Sequence, residues 1–421
     1  MNRNHLTDHL VFLAILLLIA IFLPGAAISA TLEVCPSCPF STVRAAVKYA
    51  YPHDAIVIQS GIYRDSAILI DKPLTLRGLG APILDGLHQG HVLYVRANDV
   101  IISGLVIRNS GMSYISEFAG IRVEESSGCY ITDNRFEENT YSIYLAKVDT
   151  CTIARNRIIG NAQDEVSGGN GIHAWYSRNI TALNNDISGH RDGLYLEFTP
   201  DSLITDNLCT RNIRYGLHFM YSPRNRFYRN RFIDNQTGVA VMYSNRIDMK
   251  ANHFTKSWGR SSYGLLLKDI SDSQIDENLF EANTIGIFAD GSSRNHFIRN
   301  TLRYNGWAVT MLGSTERNQF VENNFIANFF NVSTNSQTPQ TLFESNYWSD
   351  YNGYDLNRDG WGDVPFRPMR LFSLWVSRYP ELVVLFGSPV IEFLEIAERT
   401  FPILTPVSLQ DQRPKMRPIR L

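Results

Sequence analysis

The segment from 214 to 244 contains two copies of a short pattern whose side chains can bind a soft metal ion. The chain reads "RYGLHFMYS" and then "GVAVMYS", which places Met220 and Met242 22 residues apart and His218 two residues before the first methionine. Thioether sulfur and imidazole nitrogen suit monovalent copper, whereas hard ions such as magnesium prefer carboxylate oxygen. The pattern therefore indicates Cu(I) chemistry, provided that the fold brings the three side chains together.

The 22-residue spacing is a property of most of the chain, and asparagine marks it. Most steps between the marker residues are 22 or 23 residues, and two longer steps contain the loop insertions "AQDEVSGGN" and "SWGRSS". Units of this length, with several short strands and no helical period, are typical of a parallel β-solenoid. We predict an all-β, right-handed parallel β-helix of about ten coils, with asparagines stacked in a structural ladder. The marker residues are Asn134, Asn156, Asn185, Asn207, Asn230, Asn252, Asn278, Asn300 and Asn323.

A recurring position within each unit separates the inner from the outer face of the predicted solenoid. The first and third residues after a glycine corner are uniformly apolar and should face inward, so the second and fourth should face outward. Met220 and Met242 then stack on an exterior face beside His218, and His173, two coils away, is a further or alternative copper ligand. Met311 should be core. The alternative is an apolar exterior patch, covered by a partner, in which methionine serves as adaptable packing.

Composition and the N-terminus restrict the possible partners and compartment. The 421 residues carry 39 basic and 41 acidic side chains, a net charge of -2, so no broad basic field for nucleic acid is present. Residues 1–30 read as a secretory signal peptide with an apolar segment before Pro24-Gly25 and small residues up to Ala30. A retained membrane anchor is the alternative. The mature chain is expected outside the cytoplasmic membrane.

Five cysteines occur in this oxidising setting, an odd number that leaves at least one thiol unpaired. Cys35 and Cys38 form either a small local disulfide or a redox or metal pair. Cys129 and Cys151 are again 22 residues apart, so neighbouring coils would place them within disulfide distance, with a copper thiolate as the alternative. Cys209 is the expected buried, unpaired thiol.

The repeat gives way to a turn-rich segment and then to helical patterns. We assign 31–345 to the β-helix and 346–368 to a loop in which Asp355, Asn357 and Asp359 alternate before a glycine, as in calcium loops, with Asp363 as another oxygen donor. A turn-rich loop without calcium is the alternative.

The remainder, 369–421, has aromatic and aliphatic residues at helical spacing, with prolines as breaks. These helices either cap the last coil or dock onto a membrane-protein partner. The basic, proline-rich tail is expected to be extended along a partner or an anionic membrane surface.

A second functional class is a carbohydrate-binding or polysaccharide-cleaving β-helix. Glycoside hydrolysis uses two carboxyl groups roughly 5 to 9.5 Å apart. Glu197 and Asp290 fall four coils apart on the outer face, and Asp192 stands at a corner where aspartate is ordinarily a turn residue. No carboxylate pair is therefore expected to converge, and we predict that the chain is not an enzyme. A bare structural rod is a third possibility, one that would not need the Met and His face.

Several stretches together resemble the NosD family, the periplasmic copper-site maturation proteins of nitrous oxide reductase. The likeness extends from about Cys35 to Pro418, and the Met-Tyr-Ser pair and the C-terminal block are its most specific parts. The stretches are "HRDGLYLEF" (190–198), "RYGLHFMYS" (214–222), "GVAVMYS" (238–244), "YGLLLKDI" (263–270), "NGWAV" (305–309), "NYWSDYNGYDLNRDGWGDVPFRP" (346–368) and "TPVSLQDQRPKMRP" (405–418).

The resemblance implies a periplasmic β-helix docked on an ABC transporter with a membrane subunit (NosY) and an ATPase (NosF). It also implies that the chain receives Cu(I) from the chaperone NosL and helps assemble the copper centres of nitrous oxide reductase without turning over a substrate. With the resemblance added, metal handling becomes the favoured role of His218, Met220 and Met242.

Overall fold

The computed structural model describes residues 29–420, apart from 114, 313–314, 336–339 and 401–408. Nearly all of the predicted signal peptide (1–28 of 1–30) lies outside the described residues. Within the described part of the chain, every helix is too short or too polar to span a bilayer.

The chain winds into a right-handed parallel β-helix in which three parallel sheets, here sheets A, B and C, form the faces of the coil. Each full coil contributes one strand to C, one to A and one to B, in that order along the chain. Sheet A contains Thr31–Val34, Ala55–Ile58, Thr75–Gly78, Ile101–Ser103, Ser127–Thr132, Asp149–Ala154, Arg178–Leu183, Leu203–Thr205, Arg226–Tyr228, Asp248–Lys250, Gln274–Asp276, His296–Ile298, Gln319–Val321 and Leu342–Glu344. Sheet B contains Ile62–Arg64, Ile83–Asp85, Val106–Arg108, Arg135–Glu137, Arg157–Ile159, Asp186–Ser188, Leu208–Thr210, Arg231–Ile233, His253–Thr255, Leu279–Glu281, Thr301–Arg303, Asn324–Ile326 and Tyr347–Trp348. Sheet C contains Ile68–Ile70, Leu93–Val95, Ala119–Glu124, Tyr141–Ala146, Asn170–Trp175, Asp192–Glu197, Tyr215–Met220, Thr237–Met242, Tyr263–Lys268, Ile285–Asp290, Trp307–Leu312 and Phe330–Thr334.

The predicted fold class is confirmed, but the solenoid is longer than the ten coils expected. Sheet A alone has 14 strands in the described residues. The extra coils lie mainly before residue 119, where the chain has the strands but lacks the asparagine signature used to count the coils. The last strand of sheet B, Tyr347–Trp348, stands at the start of the segment 346–368 that we assigned to a loop.

One continuous apolar core fills the coil, and the alternation of side chains across sheet C is the predicted one. Residues such as Leu217 and Phe219 are fully buried in this core, which also contains the free thiol of Cys209. Met311 is buried in the same core, as predicted. Stacked phenylalanine rings, for example Phe254 on Phe280 at 4.6 Å, continue the repeat inside the coil.

The asparagine markers form the predicted ladder along one corner of the coil. From Asn156 onward, the Oδ1 of each marker asparagine accepts the backbone N–H and the side-chain N–H of the asparagine one coil earlier, as between Asn230 and Asn252 at 2.9 and 3.0 Å. These bonds satisfy polar groups that the turn would otherwise leave buried and unpaired. Hydroxyl groups form a similar series at another corner, where Ser244 Oγ accepts the N–H of Ser222 at 2.9 Å. The serine of each Met-Tyr-Ser is therefore a structural residue.

Helices cover both ends of the solenoid. Helix α1 (Val43–Tyr49) places Val43, Ala46 and Val47 in the core at the N-terminal end. After the last coil come helix α2 (Leu371–Arg378), a 3-10 helix (Pro380–Leu385) and helix α3 (Pro389–Thr400).

A small apolar cluster joins these C-terminal helices to the last rung of sheet C. Phe372, Val376 and Ile391 pack with Phe330 of the final sheet C strand. The helices thus pack against the last rung of sheet C, and their role as a cap or as a docking segment stays a prediction.

The C-terminal tail returns to the end of the solenoid, whereas the sequence suggested a tail extended along a partner or a membrane. Asp411 pairs with Phe343, and Lys415 pairs with Tyr347, through isolated β-bridges. The buried Asp411 carboxylate accepts the backbone and side-chain N–H groups of Asn346 at 2.9 and 3.1 Å. It occupies the place that the next asparagine of the ladder would have held, so the tail closes the ladder.

Candidate metal site

The two methionines of the repeated motif lie on neighbouring rungs of sheet C, as predicted. Strands Tyr215–Met220 and Thr237–Met242 pair in parallel, and Met220 is directly opposite Met242 in the register. Both side chains are partly exposed. Adjacent parallel strands are about 4.8 Å apart, so the two side chains emerge one above the other on the same face.

The neighbours of Met220 show on which face of sheet C its side chain lies. The Tyr195 hydroxyl donates to Met220 Sδ at 3.4 Å. Since Phe219, the neighbour of Met220, is in the core, Met220 lies on the outer face of sheet C. His218 is two residues away on the same strand and therefore shares that face.

His218 and His173 lie on the outer face but are not exposed to solvent, which corrects the expectation from the sequence. Their exposed fractions are 5% and 6%. The rings form one column with tyrosines. His173 is tilted against Tyr144 and Tyr195, with centroids 4.6 and 4.7 Å away, and His218 stacks on Tyr195 at 4.5 Å. The large tyrosine rings cover the imidazoles because neighbouring rungs of a parallel sheet bring like positions into contact.

Most of the ring nitrogens of these two histidines lack a hydrogen-bond partner among the described residues. Neither nitrogen of His218 has a hydrogen bond, and His173 has one only through Nδ1, which lies 3.3 Å from Asn170 Nδ2. Burial lowers the pKa of His173 to about 3, and it also lowers the pKa of His218, although the Asp192 carboxylate acts in the opposite direction. Both rings are therefore neutral at physiological pH, the state in which imidazole can bind a metal.

His173 is separated from the methionine pair. Tyr195 lies between His173 and His218, with ring centroids 4.7 and 4.5 Å from the two imidazoles. Two rungs span about 10 Å, which is too far for His173 and His218 to bind one ion. The structure thus places His218 on the strand and face of Met220, one rung from Met242, and it places His173 apart.

Asp192 is a buried ion-pair residue and not the simple turn residue that its corner position suggested. Its two carboxylate oxygens accept from Arg214 Nε at 2.9 Å and from a terminal Arg214 nitrogen at 2.5 Å. Burial is the largest single influence on Asp192 and raises its pKa, but the hydrogen bonds and charge of Arg214, together with His218, outweigh burial and hold that pKa at about 2. His218 Nδ1 is 3.9 Å from Asp192 Oδ2. The signal in the sequence was an acidic residue, Asp192, followed one repeat later by a basic residue, Arg214.

An aromatic ladder next to the methionine column, exposed except at the half-buried Phe198, was also missed from the sequence. The rings stack with centroids 4.6, 5.1 and 4.9 Å apart, and each aromatic residue directly follows one residue of the outer column that contains Met220 and Met242. The available signal was the recurrence of an aromatic residue at the repeat spacing. The ladder consists of Tyr176, Phe198, Tyr221 and Tyr243.

The cysteines adopt the disulfide arrangement considered from the sequence. Cys35 is bonded to Cys38, with Cα atoms 4.9 Å apart. Cys129 is bonded to Cys151 across two neighbouring rungs, with Cα atoms 4.6 Å apart. In this state the four sulfurs are not available as metal thiolates, and burial raises the pKa of the remaining thiol, Cys209.

The candidate calcium loop has its oxygens engaged by the loop itself. Asp355 accepts the N–H groups of Asp359 and Gly360 at 3.1 and 2.9 Å, and Asp363 accepts that of Leu356 at 2.7 Å. Asn357 Nδ2 donates to Asp359 at 3.1 Å. No group of three or more His, Cys, Asp or Glu side chains that could hold a metal is found in the described residues. Calcium binding here stays a prediction from the sequence pattern.

The outer column of sheet C does not bring together the carboxyl pair that glycoside hydrolysis needs. In the register, Glu197 is flanked by Trp175 and Met220, whereas Asp290 is next to Lys268. The four rungs between Glu197 and Asp290 correspond to about 19 Å, twice the largest separation that an inverting glycosidase uses.

The donor set at the methionine pair suits a soft monovalent ion. Two thioethers lie on adjacent rungs, and a neutral imidazole with unpaired nitrogens shares their face. Copper(I) accepts this combination, whereas zinc and calcium sites are built mainly from imidazole, thiolate and carboxylate donors. Fold and donors together define a class: a parallel β-helix protein whose outer face carries side chains that suit a soft metal ion.

Comparison with known proteins gives the family. The family model described as "Periplasmic copper-binding protein (NosD)" matches residues 85–168 and 163–353. Similar proteins are the "Probable ABC transporter binding protein NosD" of Pseudomonas aeruginosa, 30% identical over 371 residues, and that of Stutzerimonas stutzeri, 27% identical over 371 residues. The alignments cover 83% of this chain in both cases, and 85% and 84% of the two relatives. The chain belongs to the NosD family of periplasmic copper-binding proteins.

Solved structures with the same architecture are more distant and show the fold alone. A mannuronic acid specific polysaccharide family 6 lyase from human gut microbiota aligns at a TM-score of 0.55 with 14% identity, covering 90% of this chain and 100% of the lyase chain. The catalytic unit of an alpha-1,3-glucanase from Streptomyces thermodiastaticus aligns at 0.56 with 12% identity, covering 75% and 66%.

Proposed function

We propose that this protein accepts Cu(I) in the periplasm and passes it on for assembly of the copper centres of nitrous oxide reductase. The observation that carries the proposal is the pair of in-register thioethers beside a neutral imidazole with unpaired nitrogens. In this role copper is cargo, and the chain itself performs no catalytic turnover.

The three donors have different tasks in this proposal. Met220 and Met242 are partly exposed and supply soft ligands that an incoming carrier can approach from solvent. His218 is buried under Tyr195 and supplies a fixed third donor from the protein side. A site with two partly exposed, uncharged ligands favours transfer over permanent retention, because a partner's donors can replace the thioethers without separating charge.

The C-terminal helices are proposed to dock the solenoid onto the transporter. In helix α3, Ile391 packs into the cluster with Phe330, whereas Val390, Phe393 and Ile396 are largely exposed. Exposed apolar side chains on one stretch of helix favour a protein or membrane partner. The partners in this proposal are a NosY-like membrane subunit and a NosF-like ATPase, with a NosL-like chaperone as the copper donor.

Cu(I) titration of the purified mature protein under reducing conditions tests the site. We expect one high-affinity equivalent in the wild type, and we expect the double variant Met220→Leu/Met242→Leu to lose it, because leucine keeps the volume but has no sulfur donor. The matched control is Met249→Leu/Met311→Leu, which removes two thioethers from the core. That control should bind copper like the wild type.

The same titration can also contradict the proposed copper site. Equal stoichiometry and affinity for the wild type and the Met220→Leu/Met242→Leu variant would remove these methionines from the copper site. Cleavage of an acidic oligosaccharide by the wild type would instead support a polysaccharide-cleaving protein.

A further inference from the structure

The buried ion pair beside His218 differs from the other charge pairs between coils. Most of those pairs lie at exposed corners, such as Asp201 with Arg224, whose side chains are 41% and 47% exposed. Asp192 is 0% exposed, the lowest value for any carboxylate among the ion pairs described. Its partner Arg214 is 26% exposed, so the carboxylate is the group that is fully removed from water. Burying a charge is costly, and a buried ion pair is often neutral or unfavourable for stability. Its position next to His218 therefore calls for a role other than stabilisation.

The His218 ring is held in one plane by its aromatic neighbours. Tyr195 stacks on it at 4.5 Å with an interplanar angle of 9°, and Tyr215 meets it edge-on at 4.9 Å. On the next rung the register partner of His218 is Ala240, so no ring covers the side of the imidazole toward Met242. Tilting the ring out of this plane would lose both aromatic contacts. With Nδ1 on the Asp192 side, the remaining choice is which nitrogen carries the proton.

Asp192 is placed to make that choice. Its Oδ2 lies 3.9 Å from His218 Nδ1, the sole ion-pair contact of the ring within the described residues. Arg214 holds the carboxylate through both of its oxygens, and the backbone N–H of Tyr215 donates to Oδ1 at 3.3 Å. An anionic oxygen at this distance favours an N–H on the facing nitrogen over a lone pair. Histidines that bind metals usually direct their other N–H to a carboxylate or carbonyl in the same way.

We propose that Asp192 is a positioning residue that keeps the His218 proton on Nδ1 and leaves Nε2 free as the copper-binding atom. The inference rests on the proposed copper function for its purpose, but the position of the proton is a property of the metal-free protein. Asp192 does not contact copper. It acts through His218, and Arg214 holds it in place.

The direct test is the tautomer of His218 in metal-free protein, measured by long-range 1H–15N correlation with selective histidine labelling and assigned with His218→Gln. We expect the wild type to carry the proton on Nδ1. In Asp192→Asn/Arg214→Gln, which removes both charges of the pair, we expect the proton to move to Nε2 in a large share of molecules. Asp201→Asn, which breaks the exposed pair with Arg224, is the matched control and should leave the tautomer unchanged.

Copper affinity provides the second readout. Loss of an outer partner of a metal-binding histidine typically lowers metal affinity about 10- to 100-fold, so the double variant should bind Cu(I) that much more weakly at unchanged stoichiometry. A wild-type proton on Nε2 overturns the inference, even if the variant does not fold. A wild-type proton on Nδ1 with no Cu(I) binding by the wild type overturns the proposed function and leaves the role of Asp192 in orienting His218 intact.

Discussion

Replacement of Asp411 tests whether the C-terminal tail is needed to close the solenoid. The carboxylate accepts five N–H groups: three from the last coil belong to Ser345 and Asn346, one is the indole N–H of Trp348, and one is the N–H of Arg413 in its own turn, all at 2.9 to 3.1 Å. Asp411→Ala removes the acceptor for all of them. The donors of Asn346 and Trp348 are buried, so water cannot readily take the place of the carboxylate there.

The magnitude follows from the donors left without a partner. One unsatisfied buried donor costs about 1 to 3 kcal/mol. The more exposed donors at the chain end can turn to water, so the buried donors of Asn346 and Trp348 give an expected loss of about 3 to 9 kcal/mol. Asp411→Asn keeps the volume and one oxygen, but its amide group faces two N–H donors, so its expected loss is about 1 to 2 kcal/mol. An exposed control, Asp71→Ala, should change stability by less than about 0.5 kcal/mol.

Urea unfolding and hydrogen exchange measure this effect. Because each rung contacts only its neighbours, loss of the terminal acceptor should expose amides first in the last coils and leave the N-terminal coils protected. Stability within about 0.5 kcal/mol of the wild type, together with unchanged exchange around Asn346, would show that the tail does not hold the ladder.

Three further predictions concern other parts of the chain. Burial lowers the pKa of His190 to about 4, so between about pH 6.5 and 4 the unfolded state binds one more proton, and stability should fall by about 1.4 kcal/mol for each unit of pH decrease from this residue. His190→Asn, which matches the neighbouring ladder residue Asn212, should remove this pH dependence of the free energy of unfolding, measured with urea at several pH values. Parallel plots of that free energy against pH for the two proteins would contradict the prediction. Phe393→Ser/Ile396→Ser should abolish co-purification with the transporter subunits while Cu(I) binding persists, and undiminished co-purification would count against docking through helix α3. If the loop around Asp355 binds calcium, millimolar Ca2+ should raise the melting temperature of the wild type and not that of Asp355→Ala, and no shift in the wild type would leave the loop as a set of turns.

The repeat made the fold and the in-register methionines predictable. In a parallel solenoid the rung spacing is fixed by backbone hydrogen bonds, so residues one repeat apart must become neighbours. For that reason Met220 and Met242 stack, Met311 is core, and the asparagines form a ladder. Coils without the asparagine marker obey the same backbone rule but leave no comparable signal, and the coil count was therefore too low.

Exposure on the outer face could not be predicted in this way. The alternation of a strand tells on which side of the sheet His218 lies, but burial there depends on the size of the neighbours in three dimensions. Tyr195 and Tyr215 enclose the imidazole, and Asp192 reaches it from the preceding rung. The ion-pair contact of His218 is therefore a residue other than its register partner, because side-chain length and direction add to the register.

The sequence by itself determined the solenoid, its register and the column in which the thioethers stand, because a regular period translates directly into stacked positions. Only the tertiary structure decided that the histidines are buried with unpaired nitrogens, that Asp192 faces one of them, and that Asp411 ends the asparagine ladder. These contacts join segments outside the repeat register or depend on how large side chains fill space. The spacing of residues along the sequence encodes neither property.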